Sequence, residues 1–200
     1  EWIPPIQTDK PLWSGCKADR LYVWSEQGVG DEVMFASCFN DLLPKCNSLV
    51  VSCNSRLLPL FQRSFGQEIE FVDRIEGLLD KQFDCHAPAL TATGLVRQDL
   101  KDFGSAAFPY LKADPALVGS LRHSIAKVSA GRPIIGLSWS SKNKLTGRRR
   151  SISLAELVSS IPKEFFLVIK PFRNHSAWTW AKRNFYLIKI YYSVNIINSM

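Results

Sequence analysis

The stretch from residue 21 to residue 40 constrains the fold more than any other part of the sequence. It begins with the β-forming residues Leu21–Trp24, which predict a buried strand. Gly28, Gly30 and Asp31 follow, and beyond them apolar residues recur at helical spacing. A strand, a glycine turn and a helix form the first unit of an α/β sheet, and such sheets bind ligands at that turn.

The turn itself has properties of a ligand site. Its two glycines permit positive φ and allow another molecule to approach the backbone. Asp31 can cap the new helix, and the free N–H groups of the first helical turn favour an anion. The third glycine of the dinucleotide-binding fingerprint is missing, because Val33 occupies its position. A tight turn with a capping aspartate is the structural alternative.

Strands and helices alternate along the first part of the chain. We predict strands at 48–53, 68–72 and 83–87. A short helix capped by Ser55 and ended by Gly66 separates the first two of these strands. Residues 91–114 are rich in small and turn residues, which predicts a loop region. The alternation predicts an α/β fold with a Rossmann-like, doubly wound parallel sheet.

A second βα unit is predicted after residue 130. A helix begins at Asp114-Pro115 and ends at Gly131, followed by a strand at 133–138. Ser153 and Glu156 predict a capping box for the next helix, and 165–169 predicts the next strand. The resulting division is a linker at 1–18, a first domain at 19–130, the start of a second at 131–169, and an atypical basic tail at 170–200.

The net charge of +7 is concentrated in two segments. Residues 138–151 contain five basic residues and no acidic one, and residues 161–200 contain six basic residues and one acidic one. The rest of the chain is slightly acidic, which disfavours a protein that coats nucleic acid, and we predict no nucleic-acid partner. Local binding of nucleic acid through Arg148–Arg150 and the tail is a third, weaker hypothesis.

The cysteines predict a reducing, cytoplasmic location. There are five, an odd number, without a Cys-x-x-Cys pair. In apolar surroundings a free thiol behaves as a small hydrophobic group. Cys85 and His86 lack a second ligand pair, so we predict no metal site. No apolar run is long enough to span a bilayer, and the amino terminus lacks the features of a signal peptide.

Asp84 and His86 are a further pair of candidate functional residues. They are two positions apart on a predicted strand, so their side chains face the same side. If that side meets the Gly28–Asp31 turn, a carboxylate and an imidazole converge there. The structural alternative is a histidine bonded to its aspartate neighbour or to the backbone.

The string Glu26–Ala36, EQGVGDEVMFA, carries a family resemblance. It resembles the opening motif of the glycosyltransferase-like domain that follows tetratricopeptide repeats in many bacterial proteins. That domain is similar to the lipopolysaccharide heptosyltransferases, whose first turn carries a Gly-Asp pair. The resemblance runs from about Lys10 to about Val168 and includes further matching segments: Lys10–Trp13, Phe83–Pro88, Pro109–Asp114, Ile135–Trp139 and Arg149–Ile152.

The resemblance implies a GT-B fold, with the acceptor half first and the donor half second. It implies that Asp31 is the general base for an acceptor hydroxyl and that His86 is a second candidate base or acceptor ligand. The implied acceptor-binding residues are Glu26, Gln27, Gly28, Gly30 and Asp84. The implied donor-diphosphate ligands are Ser138, Ser140, Lys142, Arg149 and Arg150. No Asp-x-Asp motif is present, so we expect transfer without a metal ion or another cofactor.

The expected function is sugar transfer from a nucleotide-diphosphate sugar to a hydroxyl of a glycan, lipid or protein acceptor, with tetratricopeptide repeats upstream. A second half would need roughly a hundred further residues. The chain is therefore expected to be truncated and to lack most of the donor half, which argues against activity. The alternative is a non-enzymatic sugar- or nucleotide-binding or scaffold module. An apolar face left bare by the missing half could drive homo-oligomer formation.

Overall fold

The computed structural model describes residues 5–74, 82–104, 109–137, 139, 145–162, 166–169 and 187–189. For 128, 166–169 and 187–189 it describes the backbone only. The chain divides into two compact units between Asp114 and Pro115. The sequence instead predicts a boundary between residues 130 and 131, which would place the helix at Pro115–Ser129 in the first domain. That boundary stays a prediction.

The first unit is built on a four-stranded parallel sheet. Its strands are β1 (Ala18–Trp24), β2 (Cys46–Cys53), β3 (Ile69–Asp73) and β4 (Cys85–Pro88). Their order is β3-β2-β1-β4, so β1 lies between β2 and β4. This order and direction confirm the predicted α/β class with a Rossmann-like arrangement.

Four helices pack against this sheet: α1 (Val29–Phe35), α2 (Phe39–Leu42), α3 (Leu58–Phe65) and α4 (Ala89–Val96). The apolar residues of these helices share one core with alternate strand residues, including Leu21, Val23, Leu49 and Val51. Tyr22, Trp24 and Val50 belong to a second cluster, as expected when successive strand residues point to opposite faces. The order of the strands thus brings the starts of α1 and α4 to neighbouring strand ends.

Aromatic rings fill the centre of the larger core. Phe39, Phe61, Phe65 and Phe71 have mutual centroid distances of 5.4 to 6.1 Å. Such pairs stabilise a fold by about 0.5–1.5 kcal/mol each beyond the burial of their area. They lie on α2, α3 and β3, so their contacts pack these two helices against the sheet.

The helix predicted between the glycine turn and Pro44 is interrupted. Two 3₁₀ segments, Ala36–Cys38 and Leu43–Lys45, alternate with α1 and α2. The carbonyl of Ser37 accepts a hydrogen bond from Nη2 of Arg97 at 2.6 Å. In a continuous α-helix, this carbonyl would accept from the N–H of Asp41. The bond to Arg97 competes with that helical bond, which accounts for the tighter turn at this point.

Three other local predictions were wrong. Residues 91–114 contain most of α4 and a 3₁₀ turn at Leu100–Phe103 instead of only loop. Asn54, not Ser55, caps the turn before α3, since its side chain accepts from the N–H of Arg56 at 3.1 Å. Ser153 precedes α6 (Leu154–Ser159), but its side chain makes no capping hydrogen bond.

The segment before β1 covers part of the outer edge of β4. Leu12 forms an isolated parallel bridge with His86. The N–H of Trp13 donates to the His86 carbonyl at 2.7 Å, and the His86 N–H donates to the Pro11 carbonyl at 3.1 Å. The Trp13 side chain is buried in the larger core. Residues 11–13 therefore pair with the sheet although they lie in the predicted linker.

The second unit contains a smaller parallel sheet. Its strands β5 (Ile134–Leu137), β6 (Phe166–Ile169) and β7 (Leu187–Lys189) are arranged in that order. Helix α5 (Pro115–Ser129) begins at the predicted residue and ends before Gly131, whose φ is 77°. Strand β7 lies in the tail, where the sequence predicted no element. In the described part of the chain, no helix has the length and apolarity needed to cross a bilayer.

Candidate functional site

The candidate site lies at the carboxyl ends of β1 and β4. The chain leaves β1 toward β2 on one side, whereas β4 pairs with β1 on the other side. Such a reversal of strand order is the topological switch point, where open α/β sheets form a ligand crevice. The Gly28–Asp31 turn follows β1 at this switch point, and α4 follows β4.

The two glycines of the turn do not adopt positive φ. Gly28 has φ −80° and ψ 168°, and Gly30 lies within α1. The left-handed conformation that glycine permits is therefore not used at either position, and backbone strain does not explain these glycines. At Gly30, a Cβ atom would have no neighbour within 4 Å. The first turn of α1 thus presents exposed backbone to solvent, where another molecule can approach it closely.

Asp31 caps α1 from inside the helix. One carboxylate oxygen, Oδ2, accepts from the N–H of Gly28 at 3.2 Å, and the Asp31 N–H donates to the Gly28 carbonyl at 2.9 Å. The predicted capping role is confirmed, although Gly28 occupies the N-cap position itself. Asp31 is half-buried and makes no ion pair with another described residue. Its carboxylate is therefore engaged as a cap and remains partly open to solvent.

Glu32 is a buried carboxylate that the sequence analysis missed. Its oxygens accept from Ser25 Oγ at 2.7 Å, from the Asn54 N–H at 2.8 Å and from Arg74 Nη1 at 3.1 Å. Its side chain is 4% exposed. These partners follow β1, β2 and β3, so Glu32 joins three strand ends beneath the turn. Glu32 lies three positions before the buried Phe35, and an acid within an apolar helical stripe was the available sign of this role.

Glu26 connects the turn to α4. Its Oε2 accepts from the N–H of Ala89 at 2.9 Å, and its Oε1 accepts from the N–H of Leu90 at 3.0 Å. These are the first two residues of α4, so the carboxylate occupies the start of that helix. Gln27 is half-buried on the same turn.

His86 lies on β4 opposite Tyr22, two positions before the end of β1. It is buried, and its Nδ1 accepts from Trp24 Nε1 at 3.0 Å. The ring of Phe83 packs edge-on against it, with the centroids 6.2 Å apart. Because Nδ1 accepts a hydrogen bond, the neutral imidazole carries its proton on Nε2.

Asp84 lies at the opposite end of the sheet. It precedes β4, and its Oδ2 accepts from the Arg20 N–H near the start of β1 at 2.8 Å. It lines a cavity of about 350 Å³ at this amino end, together with Lys17, Asp19 and Cys85. The structure therefore does not bring Asp84 together with the Gly28–Asp31 turn, because the length of β1 separates them.

The thiols near the crevice are poorly suited to nucleophilic chemistry. Burial raises the pKa of Cys53 to about 12, and the nearby Glu32 and Asp73 carboxylates contribute to the rise. A thiol with this pKa is protonated at neutral pH, whereas the thiolate is the reactive form. All five cysteines are free. Among the described residues, no group of three or more His, Cys, Asp or Glu could hold a metal ion.

The predicted donor loop is described in part. Ser138, Ser140 and Lys142 lie outside the described residues. Arg149 and Arg150 follow Arg148 in a 3₁₀ turn at Gly147–Arg150, in which Gly147 is buried and the three arginines are exposed. The N–H of Ile152 donates to the Trp139 carbonyl at 3.0 Å, which joins the two ends of the loop. The guanidinium groups consequently stand in solvent at the base of the loop.

Comparison with known proteins gives a distant similarity. The chain is 30% identical over 168 residues to Protein FlbA of Caulobacter vibrioides. The match covers 75% of this chain and 28% of FlbA, so the chain spans less than a third of the length of that relative. No family model matches the chain. No solved structure matches it either.

Proposed function

We propose that this chain belongs to a glycosyltransferase-like protein of the GT-B type that transfers a sugar from a nucleotide-diphosphate sugar to an acceptor hydroxyl. The first unit corresponds to the acceptor half, and the second unit contains residues of the donor half. The resemblance of the EQGVGDEVMFA string to the glycosyltransferase-like domains supports this proposal. The parallel sheet with a turn at its switch point is compatible with it.

The exposed backbone at Gly30 is the observation that carries the proposal. A glycine in a helix costs about 0.5–1 kcal/mol relative to alanine. Neither a positive φ nor a crowded neighbour requires glycine at this position. Close approach of a ligand to the backbone accounts for it, and the Asp31 carboxylate is on the next residue.

In this proposal Asp31 accepts the proton of the acceptor hydroxyl while that oxygen attacks the donor sugar. The nucleoside diphosphate leaves, and its negative charge is stabilised by Arg149 and Arg150. Arginine binds phosphates through paired, charge-assisted hydrogen bonds, which suits a transfer that uses no metal ion. His86 is buried against Trp24, so we assign it a supporting role in the wall of the site.

A binding module is the second candidate function. Both candidate bases are engaged in hydrogen bonds within the protein, Asp31 with the Gly28 N–H and His86 with Trp24. A module that binds a sugar or a nucleotide needs the crevice but no free base. Binding without turnover of any nucleotide sugar would favour this candidate.

The test substitutes alanine at Gly30, with Gly119→Ala as the matched control. Gly119 is also a helical glycine with open space around it, but it lies on α5. Each change should raise the free energy of unfolding by about 0.4–1 kcal/mol. Turnover is measured in a full-length protein that carries these residues and a complete donor half, as release of nucleoside diphosphate from a panel of nucleotide sugars with hydroxyl-bearing acceptors.

We expect Gly30→Ala to lower kcat/KM at least tenfold and Gly119→Ala to leave it unchanged. Equal activity of the two variants would show that the turn is not the floor of the site. Absence of turnover with every donor in a protein with a complete donor half would remove the transferase proposal. In that case, binding measured by calorimetry would distinguish the binding module from a protein without sugar ligands.

A further inference from the structure

The carboxylate of Glu26 occupies the start of α4 at the switch point. Both of its oxygens are used, Oε2 by the Ala89 N–H at 2.9 Å and Oε1 by the Leu90 N–H at 3.0 Å. Glu26 belongs to the turn after β1, whereas these amides follow β4, so the carboxylate bridges the two strand ends that flank the crevice. The chain thus supplies an anion of its own at this position.

A doubly wound sheet often holds the phosphate of its ligand at a helix start in such a crevice, because free amides and the helix dipole favour negative charge. In this protein the amides of Ala89 and Leu90 are already bonded. A phosphate or carboxylate ligand would have to displace Glu26 and leave that charge without its partners. The helix start is therefore closed to anions.

The charges around Glu26 also disfavour the binding of an anion. Asp31 is on the same turn, and no described lysine or arginine forms an ion pair with it or with Glu26. Arg74, which is close to the turn, is paired with the buried Glu32 at 3.1 Å. An incoming anion would meet two carboxylates, and like charges repel most strongly where little solvent separates them.

Apolar side chains are exposed on the two helices that begin at these strand ends. Leu90, which donates its N–H to Glu26, is 52% exposed, and Met34 on α1 is 55% exposed. Helices α1 and α4 pack against each other. Carboxylate oxygens can accept hydrogen bonds from hydroxyl groups, and apolar side chains suit the C–H face of a sugar ring. This combination fits a neutral polyol and does not fit a phosphorylated one.

We propose that Glu26 is a specificity-determining residue that excludes anionic ligands from the crevice and leaves neutral, hydroxyl-bearing compounds as its ligand class. The identity of this ligand as a sugar acceptor rests on the proposed function. The exclusion of anions rests chiefly on Glu26, with Asp31 adding to the negative charge, and it can be tested without any enzymatic assay.

The test compares phosphate binding by the full chain and by Glu26→Ala. Inorganic phosphate is titrated while the backbone amide resonances of Ala89 and Leu90 are followed by NMR. In the wild-type protein we expect no saturable shift of these resonances. In Glu26→Ala the two amides become vacant, and phosphate should bind at least about tenfold more tightly, which corresponds to about 1.4 kcal/mol.

The matched control is Asp102→Ala. Asp102 Oδ2 accepts from the N–H groups of Gln98 and Asp99 at 3.0 and 2.9 Å, so it also caps a helical turn, but it does so away from the strand ends. Its removal should leave phosphate binding at Ala89 and Leu90 as in the wild type. Should Glu26→Ala fail to fold, Glu26→Gln keeps the volume, removes the charge and should also bind phosphate more tightly than the wild type.

Two outcomes would overturn the proposal. Phosphate shifts of equal affinity in the wild type and in the Glu26 variant would show that Glu26 excludes nothing. An absence of shifts in both would show that the crevice has no anion position to protect. Neither outcome depends on turnover. A failed transfer assay would therefore not affect the phosphate-binding result, and a failed phosphate titration would not affect the proposal of sugar transfer.

Discussion

Two strand-to-helix junctions of the chain, the one after β1 and the one after β5, differ in length and in charge. The junction after β1 is short and acidic, and its three carboxylates, Glu26, Asp31 and Glu32, each bond to a different part of the first unit. The junction after β5 is long, and its described part contains Arg148–Arg150, which are exposed. One junction holds its charges in place within the fold, whereas the other leaves them available to a partner of opposite charge.

In the proposed function, the acidic junction would serve the acceptor and the basic junction would serve the donor. A preorganised acidic turn suits a neutral ligand that must give up a proton. An exposed basic turn suits a diphosphate. The charge-assisted hydrogen bonds that the arginines form with it contribute more binding free energy than the ordering of their side chains costs. The comparison can be tested by removing charges from one junction at a time.

The largest effect is expected from Asp31→Asn on turnover. If Asp31 is the general base, its loss should lower kcat about 10²–10⁴-fold. The hydrogen bond to the Gly28 N–H can be kept by the amide oxygen, so the unfolding free energy should change by less than about 1 kcal/mol. Unchanged kcat at saturating substrate would assign Asp31 to capping alone.

Glu32→Ala should give the largest loss of stability. The change leaves Arg74 without its partner and removes the acceptor of Ser25 and of the Asn54 N–H, so we expect a loss of about 3–5 kcal/mol. The measurement is denaturant unfolding. Glu70→Ala is the control, because Glu70 pairs with Arg20 in an ion pair in which both side chains are at least 37% exposed, and surface pairs contribute about 0–1 kcal/mol. Similar losses in both variants would contradict the buried role of Glu32.

The smallest of these effects concerns the basic junction. The double change Arg149→Ala and Arg150→Ala should weaken binding of nucleoside diphosphates about tenfold or more, since a hydrogen bond to a charged group contributes about 1.5–3 kcal/mol. Stability should change by no more than about 0.5 kcal/mol, as is usual for exposed positions. Arg122→Ala on α5 removes an exposed charge elsewhere in the same unit and is the control for calorimetry. Equal affinities in all three proteins would end the assignment of this turn to the donor.

The sequence predicted the elements whose determinants are local. The apolar run before Gly28, the helical spacing after Asp31 and the Asp114-Pro115 start of α5 each specify one element with nearby residues, and the structure contains all three. Parallel pairing with right-handed connections then follows from general rules, so the sheet could be predicted too.

What the sequence did not reveal depends on residues distant along the chain. Helix α4 is largely apolar without a clear polar face, and the acceptor for its first amides is Glu26, more than sixty positions earlier. The break before α2 depends on Arg97 in the same way. In the candidate site, Gly28, Gly30 and Asp31 were adjacent and visible, whereas the partners of Glu32 follow three different strands. Contacts of this kind depend on tertiary structure and leave no local pattern.

The pairing of residues 11–13 with β4 has a practical consequence for anyone expressing this protein in pieces. A clone that starts at Ala18, where the first strand begins, would remove Trp13 from the core and uncover backbone N–H and C=O groups along β4. Strands with uncovered edges recruit one another. Such a shortened protein should accumulate in inclusion bodies, whereas one that starts before residue 6 should stay in the supernatant.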